Sequence, residues 1–217
     1  MAIGGEVVNL YKKLGETPRE RLERLRSQKQ QYRYEVLSYA GRLDPMAEGV
    51  LLCLSGAANQ RHDSYLNFPK EYVLDVLFGF ATDSYDILGL PEFLKNKFQD
   101  TDLKVGEQIQ EYPPYSYFRV KGKPLFWWAR HKRLKDIKVP KKKIIIHKFE
   151  KLHSYNLNNK DLLEIVIERV NKVSGDFRQK EIIKAWKRIL AKDQRFECVK
   201  YKIECSSGTY IRGLIND

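Results

Sequence analysis

The sequence has few of the residues that build disulfide frameworks and metal sites. Its only cysteines are Cys53, Cys198 and Cys205, and its four histidines are scattered along the chain. An odd number of cysteines without C-x-x-C spacing argues against a disulfide framework, and scattered histidines argue against a zinc site. We expect the cysteines in apolar, strand-like surroundings to act as small hydrophobic side chains.

Long apolar runs are also absent. A membrane-spanning helix needs about 20 consecutive apolar residues, and no segment of the sequence approaches this length. The N-terminal sequence MAIGGE lacks the basic and then apolar pattern of a secretory signal. We therefore expect a soluble protein of the cytoplasm without a membrane partner.

Positive charge is what the sequence has in excess. It contains 40 lysines and arginines against 28 acidic residues, which gives a net charge of +12 and a pI near 9.5. A polyanion is the natural ligand of such a protein, and nucleic acid and acidic membrane both qualify. Hydrophobic residues make up 42% of the 217 residues. This is enough for the core of one sizeable domain, alone or with a small appendage, and it excludes overall disorder.

One acidic loop is a candidate for catalysis. Residues 41–50 read GRLDPMAEGV and lead into the apolar run 50–54. Pro45 restrains Asp44 to extended geometry, and the glycines at 41 and 49 allow conformations that a side chain would forbid. A short carboxylate on a stiff loop beside a buried strand is well placed for chemistry. The same pattern also fits a plain turn whose aspartate bonds its own backbone, and the loop taken alone favours that interpretation because turns containing aspartate are common.

Local signals predict a helix upstream of this loop. Thr17 suits the N-cap, Pro18 the first helical position, and Glu20 the reciprocal position of a capping box. Leu22 and Leu25 form its apolar face. The helix is expected to end in the glutamine-rich stretch that follows.

The remaining patterns alternate between strands and helices. Strands are predicted at 7–11, 50–54, 70–78, 144–146, 162–167 and 196–205. Helices are predicted in a short segment ending near 68, within the linker 91–111, along an amphipathic segment between 177 and 193, and from 211 onward. This order indicates an α+β fold, with a mixed or antiparallel β-sheet core surrounded by helices.

Residues 118–148 are the most basic part of the chain, and Phe126, Trp127 and Trp128 are interleaved with the lysines. In one interpretation, bases of a nucleic acid stack on these aromatics while lysines follow the phosphates. In the other, the tryptophans pack inward from a helix whose lysines are only solvated. Both interpretations fit the sequence.

Several separated motifs together resemble one family, the TruB-type pseudouridine synthases. They are GRLDP and GVL within 41–51, KEY at 70–72, TDSYDILG at 82–89 and CSSGTYIR at 205–212. Shorter matches are KLGET at 13–17, YPPYS at 112–116, VKGK at 120–123 and AR at 129–130. They follow the family's order along nearly the whole chain, so the resemblance implies the pseudouridine synthase catalytic fold. It implies one catalytic domain over 1–217, with residues 118–143 as a basic insertion that clasps RNA.

The resemblance also implies a reaction, in which uridine in RNA becomes its C-glycoside isomer after the base has left its stack. No metal, redox step or bound cofactor is needed. The implied substrate is tRNA, modified at a uridine of the T loop, with the T arm as partner and the protein acting as a monomer. Two alternatives stay open: the same reaction on another RNA, and an RNA-binding or tRNA-folding module with weak or no catalysis.

The resemblance assigns roles to individual residues. Asp44 matches the family's catalytic aspartate, and Arg212 matches the arginine that pairs with it and holds it ionised. Tyr72 matches the tyrosine that lies against the flipped uracil and is counted as catalytic. The residues expected to bind substrate are Tyr210, Asp86, Tyr39, Gly41, Arg42, Lys70, Lys121 and Arg130. Without the resemblance, Tyr72 would be interpreted as a core aromatic, Arg212 as a surface charge and Asp86 as a turn acid.

The sequence departs from the family pattern near these motifs. Tyr39 stands where the family has a histidine that wedges into the RNA loop, and a tyrosine can stack there but cannot become charged. Lys13 stands where the family has proline, and Glu48 replaces a small polar residue and adds negative charge beside the catalytic turn. Residues 1–217 also stop before the family's last core helix and any RNA-binding domain of the PUA type. We therefore expect a catalytic domain without them.

Overall fold

The computed structural model describes residues 5–94 and 103–216, and the chain divides into two compact units. The first unit comprises Met1–Phe68 and Ile167–Phe177, and the second comprises Pro69–Val166 and Arg178–Asp217. All registered strand pairs of the described ranges are antiparallel. This confirms the α+β class with an antiparallel core. The single catalytic domain expected over 1–217 stays a prediction.

The first unit is built on a three-stranded sheet. Its elements are β1 (Val7–Lys12), α1 (Pro18–Gln28), β2 (Leu37–Ala40), β3 (Gly49–Ser55) and α2 (His62–Leu66), with 3₁₀ turns at Gln30–Tyr32 and Gly56–Arg61. The central strand β3 pairs with both β1 and β2, so that Leu51 lies opposite Leu10 and Leu52 opposite Ala40. Leu10, Leu51 and Cys53 are buried in one cluster. The first two predicted strands and the short helix before residue 68 are confirmed.

Helix α1 begins as its sequence predicts. The Thr17 side chain accepts a hydrogen bond from the Glu20 main-chain N–H at 3.2 Å, and the Glu20 carboxylate accepts one from the Thr17 N–H at 2.7 Å. This is the reciprocal capping box, with Pro18 as the first helical residue. Leu22 and Leu25 are buried against the sheet. The helix ends at Gln28, because the next residue is already extended.

The second unit is built on a four-stranded sheet. The strands of this unit are β4 (Lys70–Leu77), β5 (Phe80–Thr82), β6 (Pro91–Phe93), β7 (Gly106–Glu111), β8 (Arg119–Val120), β9 (Lys123–Pro124), β10 (Lys141–Asn158) and β11 (Arg195–Cys205). Its helices are α3 (Leu125–Arg130), α5 (Gln179–Ile189) and α6 (Ile211–Asn216), and α4 (Asn159–Asn171) has residues in both units. The main sheet has the order β4-β11-β10-β7. Ile144, Ile146, Ile203 and Cys205 are buried on one face of it.

Several predictions for the second unit are confirmed. The strands at 70–78, 144–146 and 196–205 are present, and α6 follows the CSSGTYIR motif. Helix α5 is amphipathic, with Ile182 and Trp186 buried and the Trp186 ring 5.2 Å from that of Phe80. All three cysteines lie in the described ranges, are buried and form no disulfide bond there, as expected of small hydrophobic side chains.

The strand predicted at 162–167 is wrong, because this segment lies inside α4. Leu162, Val166 and Val170 are 3%, 0% and 0% exposed, so burial recurs every four residues, as on one helix face. Asn158 is the N-cap of this helix. Its side-chain oxygen accepts hydrogen bonds from the main-chain N–H groups of Lys160 and Asp161 in the first turn. A short apolar run fits either element, and here the helix is selected by the cap and the buried stripe.

The helix-rich linker predicted at 91–111 is also wrong where the chain is described. Its two ends form β6 and β7, and residues 95–102 lie outside the described residues. β7 reads GEQIQE, which has good helix formers, but it pairs with β10 along its whole length. Tertiary pairing thus overrides local propensity. No helix within 5–94 or 103–216 is long and apolar enough to cross a membrane.

Candidate active site

The Asp44 loop connects β2 to β3 in the first unit, and its main chain is fixed at two points. The Ala47 N–H donates to the Asp44 carbonyl at 3.0 Å, which closes the turn around Pro45. The Gly15 N–H donates to the Pro45 carbonyl at 2.8 Å. Gly41 has φ of 89°, a left-handed conformation that favours glycine. The half-buried Asp44 is therefore presented on a turn whose backbone is held from both sides.

Lys12 is fully buried beneath this loop. Its Nζ donates to the Ala47 carbonyl at 2.5 Å and to the Lys13 carbonyl at 3.1 Å. Burial lowers the pKa of Lys12 to about 8, although the nearby carboxylates of Glu16, Asp44 and Glu48 act in the opposite direction. The buried Lys12 side chain therefore lies near the Asp44 carboxylate and holds the loop through the uncharged Ala47 carbonyl.

The departures from the family pattern have defined contacts in this unit. The Tyr39 carbonyl lies 3.1 Å from His62 Nε2, and the Tyr39 ring lies 6.0 Å from the Arg42 guanidinium carbon. Glu48 accepts a hydrogen bond from the Tyr11 hydroxyl, and this bond raises the pKa of that hydroxyl. The extra negative charge of Glu48 is therefore engaged with neighbouring side chains of β1.

Arg212 lies at the start of α6 in the second unit and is held by two main-chain carbonyls. Its Nη1 donates to the Ser84 carbonyl at 2.7 Å, and its Nη2 donates to the Tyr115 carbonyl at 3.0 Å. Both acceptors are uncharged, so these bonds fix the plane of the guanidinium without neutralising it. A guanidinium held in this way is suited to bind a carboxylate or a phosphate.

Asp86 organises the acidic loop that supplies one of these carbonyls. Its Oδ1 accepts from the Ser84 hydroxyl at 2.7 Å and from the Leu88 N–H at 3.0 Å. Tyr85, between them, has φ of 67°, a strained conformation for a residue with a bulky side chain. These contacts are those of a turn acid, and substrate binding by Asp86 stays a prediction.

Tyr210 is positioned by Gln110, which is 2% exposed. The Tyr210 N–H donates to Gln110 Oε1 at 2.9 Å, and Gln110 Nε2 donates to the Tyr210 carbonyl at 2.8 Å. Lys142 Nζ donates to the Gly208 carbonyl and lies 5.5 Å from the Tyr210 ring centroid. The segment leading into α6 is thus bonded at its backbone and flanked by a cation, whose pKa is lowered by burial.

Tyr72 and Lys70 lie on β4, opposite Ile203 and Cys205 of β11. Tyr72 is half-buried and packs against the hydrophobic cluster of the main sheet. Burial lowers the pKa of Lys70. The core interpretation of Tyr72 describes this packing, and its catalytic role stays a prediction.

In the basic segment, residues 118–148, one tryptophan packs inward and the other keeps part of its ring accessible. Trp128 is buried, and its Nε1 donates to the Val120 carbonyl at 3.2 Å. Trp127 is half-buried, with Lys123 Nζ 3.5 Å from its ring centroid and the His131 ring stacked at 4.1 Å. Lys121, with φ of 49° in the β8–β9 turn, and Arg130, at the end of α3, are exposed. One tryptophan therefore packs inward, and the other lies half-buried between Lys123 and the His131 ring.

The predicted site residues fall into two groups. Tyr39, Gly41, Arg42 and Asp44 share one loop region of the first unit, and the others belong to the second unit. There the structure brings Arg212 together with Tyr210, 6.0 Å from guanidinium carbon to ring centroid, and with the acidic loop. The pairing of Asp44 with Arg212 stays a prediction. Within the described ranges, no group of three His, Cys, Asp or Glu residues could hold a metal ion.

Sequence reasoning missed several residues that organise these groups. Lys12 could have been found, because strand alternation puts it on the same face of β1 as buried Leu10. Gln110 also alternates inward along β7, but its partner lies 100 residues away and has no local signal. Asp83 and Arg178 form an ion pair over 95 residues, which no sequence pattern indicates.

Comparison with known proteins agrees with the motifs. Residues 29–169 match the model of the TruB family pseudouridylate synthase N-terminal domain. The chain is 27% identical to "tRNA pseudouridine synthase B" of Caldanaerobacter subterraneus subsp. tengcongensis, covering 100% of this chain and 63% of the relative. It is 30% identical to the protein of that name from Lactobacillus acidophilus, covering 83% and 52%. The chain thus spans about half to two thirds of the length of these curated relatives.

A solved structure supports the fold. A chain in the crystal structure of a Cbf5-Nop10-Gar1 complex is similar with a TM-score of 0.51 at 19% identity, covering 96% of this chain and 42% of that chain. At this identity the likeness shows the fold alone. The family match covers more than half of the sequence, and the chain therefore belongs to the TruB family of pseudouridylate synthases.

Proposed function

We propose that this protein is an RNA-modifying isomerase that converts uridine to pseudouridine in the T loop of tRNA, with Asp44 as its catalytic carboxylate. The observation that carries the proposal is the Asp44 loop, whose turn is bonded to Gly15 and to the buried Lys12. Main-chain anchoring keeps a carboxylate in one position while a bulky substrate approaches. The relatives named "tRNA pseudouridine synthase B" support the choice of tRNA.

The reaction needs few groups. The bond between N1 of uracil and C1′ of the ribose breaks, the base turns, and C5 bonds to C1′. The proton on C5 is lost and N1 takes up a proton, so the product is an isomer of uridine. Asp44 begins this either by attacking as a nucleophile or by removing a sugar proton. In the family pattern Arg212 pairs with the aspartate, and two main-chain carbonyls hold its guanidinium in this protein. Tyr72 is proposed to lie against the flipped uracil.

Recognition of the RNA is proposed to use the basic segment. Lys121 and Arg130 are exposed, and Trp127 offers a half-buried ring beside Lys123 and His131. Such a surface can hold phosphates and stack one base. Tyr39, Gly41, Arg42, Lys70, Tyr210 and Asp86 are proposed to contact the RNA near the target uridine. Action as a monomer in the cytoplasm belongs to the same proposal.

Asp44→Asn tests the catalytic assignment. We expect product formation, measured as tritium release from tRNA labelled at C5 of uridine, to fall about a thousandfold or more, because the nucleophile or base is lost. Binding of tRNA at the same salt concentration should change little. Asp63→Asn is the matched control, since Asp63 is in the same unit with its side chain 92% exposed, and it should keep normal activity.

The outcomes separate the candidate functions. Wild-type protein that binds tRNA without forming product would overturn the proposal. If it also speeds tRNA refolding, and Asp44→Asn does so equally well, the tRNA-folding module is favoured instead. If product forms equally on tRNA with and without the T-arm hairpin, the proposed reaction is supported, but the T-loop uridine is excluded as its target.

A further inference from the structure

The acidic loop and the YPPYS segment of the second unit are joined by a cluster that includes Arg178, a residue outside the motifs. Asp83 accepts four hydrogen bonds: from Arg178 Nη1 at 2.8 Å and Nη2 at 3.3 Å, from the Tyr115 hydroxyl at 3.0 Å, and from the Leu90 N–H at 2.8 Å. The guanidinium also lies 4.8 Å from the Tyr115 ring centroid. The Asp83 carboxylate therefore ties three separate segments to one point.

The same two segments hold Arg212. Its guanidinium donates to the carbonyl of Ser84, next to Asp83 in the chain, and to the carbonyl of Tyr115, whose hydroxyl bonds Asp83. Any movement of the acidic loop relative to the YPPYS segment would change the distance between these two carbonyls. Arg212 and Asp83 therefore each join the acidic loop to the YPPYS segment.

We propose that Arg178 is a positioning residue for Arg212, acting through Asp83 and Tyr115. This rests on the proposed function, in which Arg212 is the partner of a catalytic carboxylate. Arg178 closes the cluster bidentately, which a lysine could not do, and it holds the loop and the YPPYS segment at a fixed spacing. The Arg178 guanidinium then acts on the orientation of Arg212 through the two segments that both side chains bond.

Burial and backbone conformation distinguish this pair from an ordinary surface ion pair. The side chains of Arg178 and Asp83 are 19% and 34% exposed, against 55% and 35% for the Arg133–Asp136 pair. Arg178 is also left-handed, with φ of 61° and ψ of 27°, immediately before α5. Such a conformation costs energy for a residue with a side chain, and it persists only where the surroundings fix it. Here it brings the guanidinium to Asp83 at the start of the helix.

The test compares Arg178→Met and Arg178→Lys with the wild type. We expect the single-turnover rate of pseudouridine formation to fall about tenfold to a hundredfold in Arg178→Met, with tRNA affinity within about twofold, because misplacement of a catalytic partner affects rate more than binding. Arg178→Lys keeps the charge and should give an intermediate rate. Asp83→Asn combined with Arg178→Met should lose no more than the larger single loss, since both act on one path. Arg188→Met, which removes an exposed arginine from the last turn of α5, is the matched control.

A second readout does not depend on activity. The Nε–H signal of Arg212, identified by its loss in Arg212→Lys, should shift or broaden in the NMR spectrum of Arg178→Met and stay unchanged in Arg188→Met. An unchanged Arg212 signal, or a wild-type single-turnover rate in folded Arg178→Met, would overturn the positioning role. If the wild type forms no pseudouridine, the proposed function fails, and the NMR comparison still decides whether Arg178 orients Arg212.

Discussion

At the scale of single residues, Lys12 shows how a buried lysine supports a half-buried loop. Its ammonium group replaces water with two carbonyls, one of which belongs to the Asp44 turn. Desolvation is the main cause of its lowered pKa, and the surrounding carboxylates only partly restore the charged form. The residue therefore links the stability of the first unit to pH.

The sign of this dependence follows from the two states. The pKa of Lys12 is 10.5 in its ordinary state and about 8 in the folded protein, so the unfolded chain binds more protons between these values. The free energy of unfolding should then rise as pH increases through this window. We expect wild type to gain stability relative to Lys12→Met between pH 8 and 10, as measured by denaturant unfolding of both proteins. Lys13→Met, at an exposed neighbouring position, should show no such trend against wild type, and a pH-independent difference for Lys12→Met would contradict the lowered pKa.

At the scale of elements, the hairpin β8–β9 and helix α3 separate two adjacent tryptophans into different environments. Trp128 is 7% exposed and bonded to the hairpin, whereas Trp127 lies against Lys123 and His131. The helix turns successive side chains by about 100°, so neighbours in sequence face different ways. One residue is therefore expected to act in folding and the other in binding.

Alanine substitutions should separate the two roles. Trp128→Ala should lower the free energy of unfolding by about 3 to 5 kcal/mol, because it leaves a cavity in a packed site. Trp127→Ala should cost less stability and weaken tRNA binding by about 1 to 3 kcal/mol, the range for loss of one stacked base. Denaturant unfolding and filter binding at fixed salt measure the two effects. If Trp127→Ala binds tRNA with wild-type affinity, Trp127 has a structural role only.

At the scale of the whole molecule, the net charge of +12 predicts that tRNA binding weakens with salt. The distribution of charge matters more than its sum, because many lysines are already paired. Lys148 and Lys202, for example, lie 2.7 Å and 2.8 Å from the carboxylates of Glu150 and Glu71. The exposed residues of the basic insertion 118–143, which excludes Lys148 and Lys202, are the better candidates for phosphate contacts.

A salt titration distinguishes local from global charge. In the double variant of Lys121→Ala and Arg130→Ala, the slope of log affinity against log salt should decrease in magnitude by roughly 1.5, as expected for two lost phosphate contacts. The control is the double variant of Lys148→Ala and Lys202→Ala, which removes the same charge from paired positions. Equal changes in the two double variants would show that net charge alone drives binding.

The elements that the sequence determined by itself are those with local signals. The capping box at Thr17 and the apolar stripe of α5 act within a few residues, so their patterns can be read without the fold. The family motifs likewise identified Asp44, Tyr72 and Arg212 as candidates. The run 162–167 was misassigned because a six-residue apolar segment has no period long enough to distinguish a strand from a helix.

Only the tertiary structure decided how the candidate residues are held. Arg212 bonds to carbonyls 128 and 97 residues away, and Arg178 reaches Asp83 across 95 residues. Main-chain carbonyls are present at every residue, so no sequence pattern can indicate which of them will accept such a bond. Burial of Lys12 likewise depends on the packing of β1 under the Asp44 turn. The sequence thus named the candidate groups, and long-range packing set the contacts that hold them.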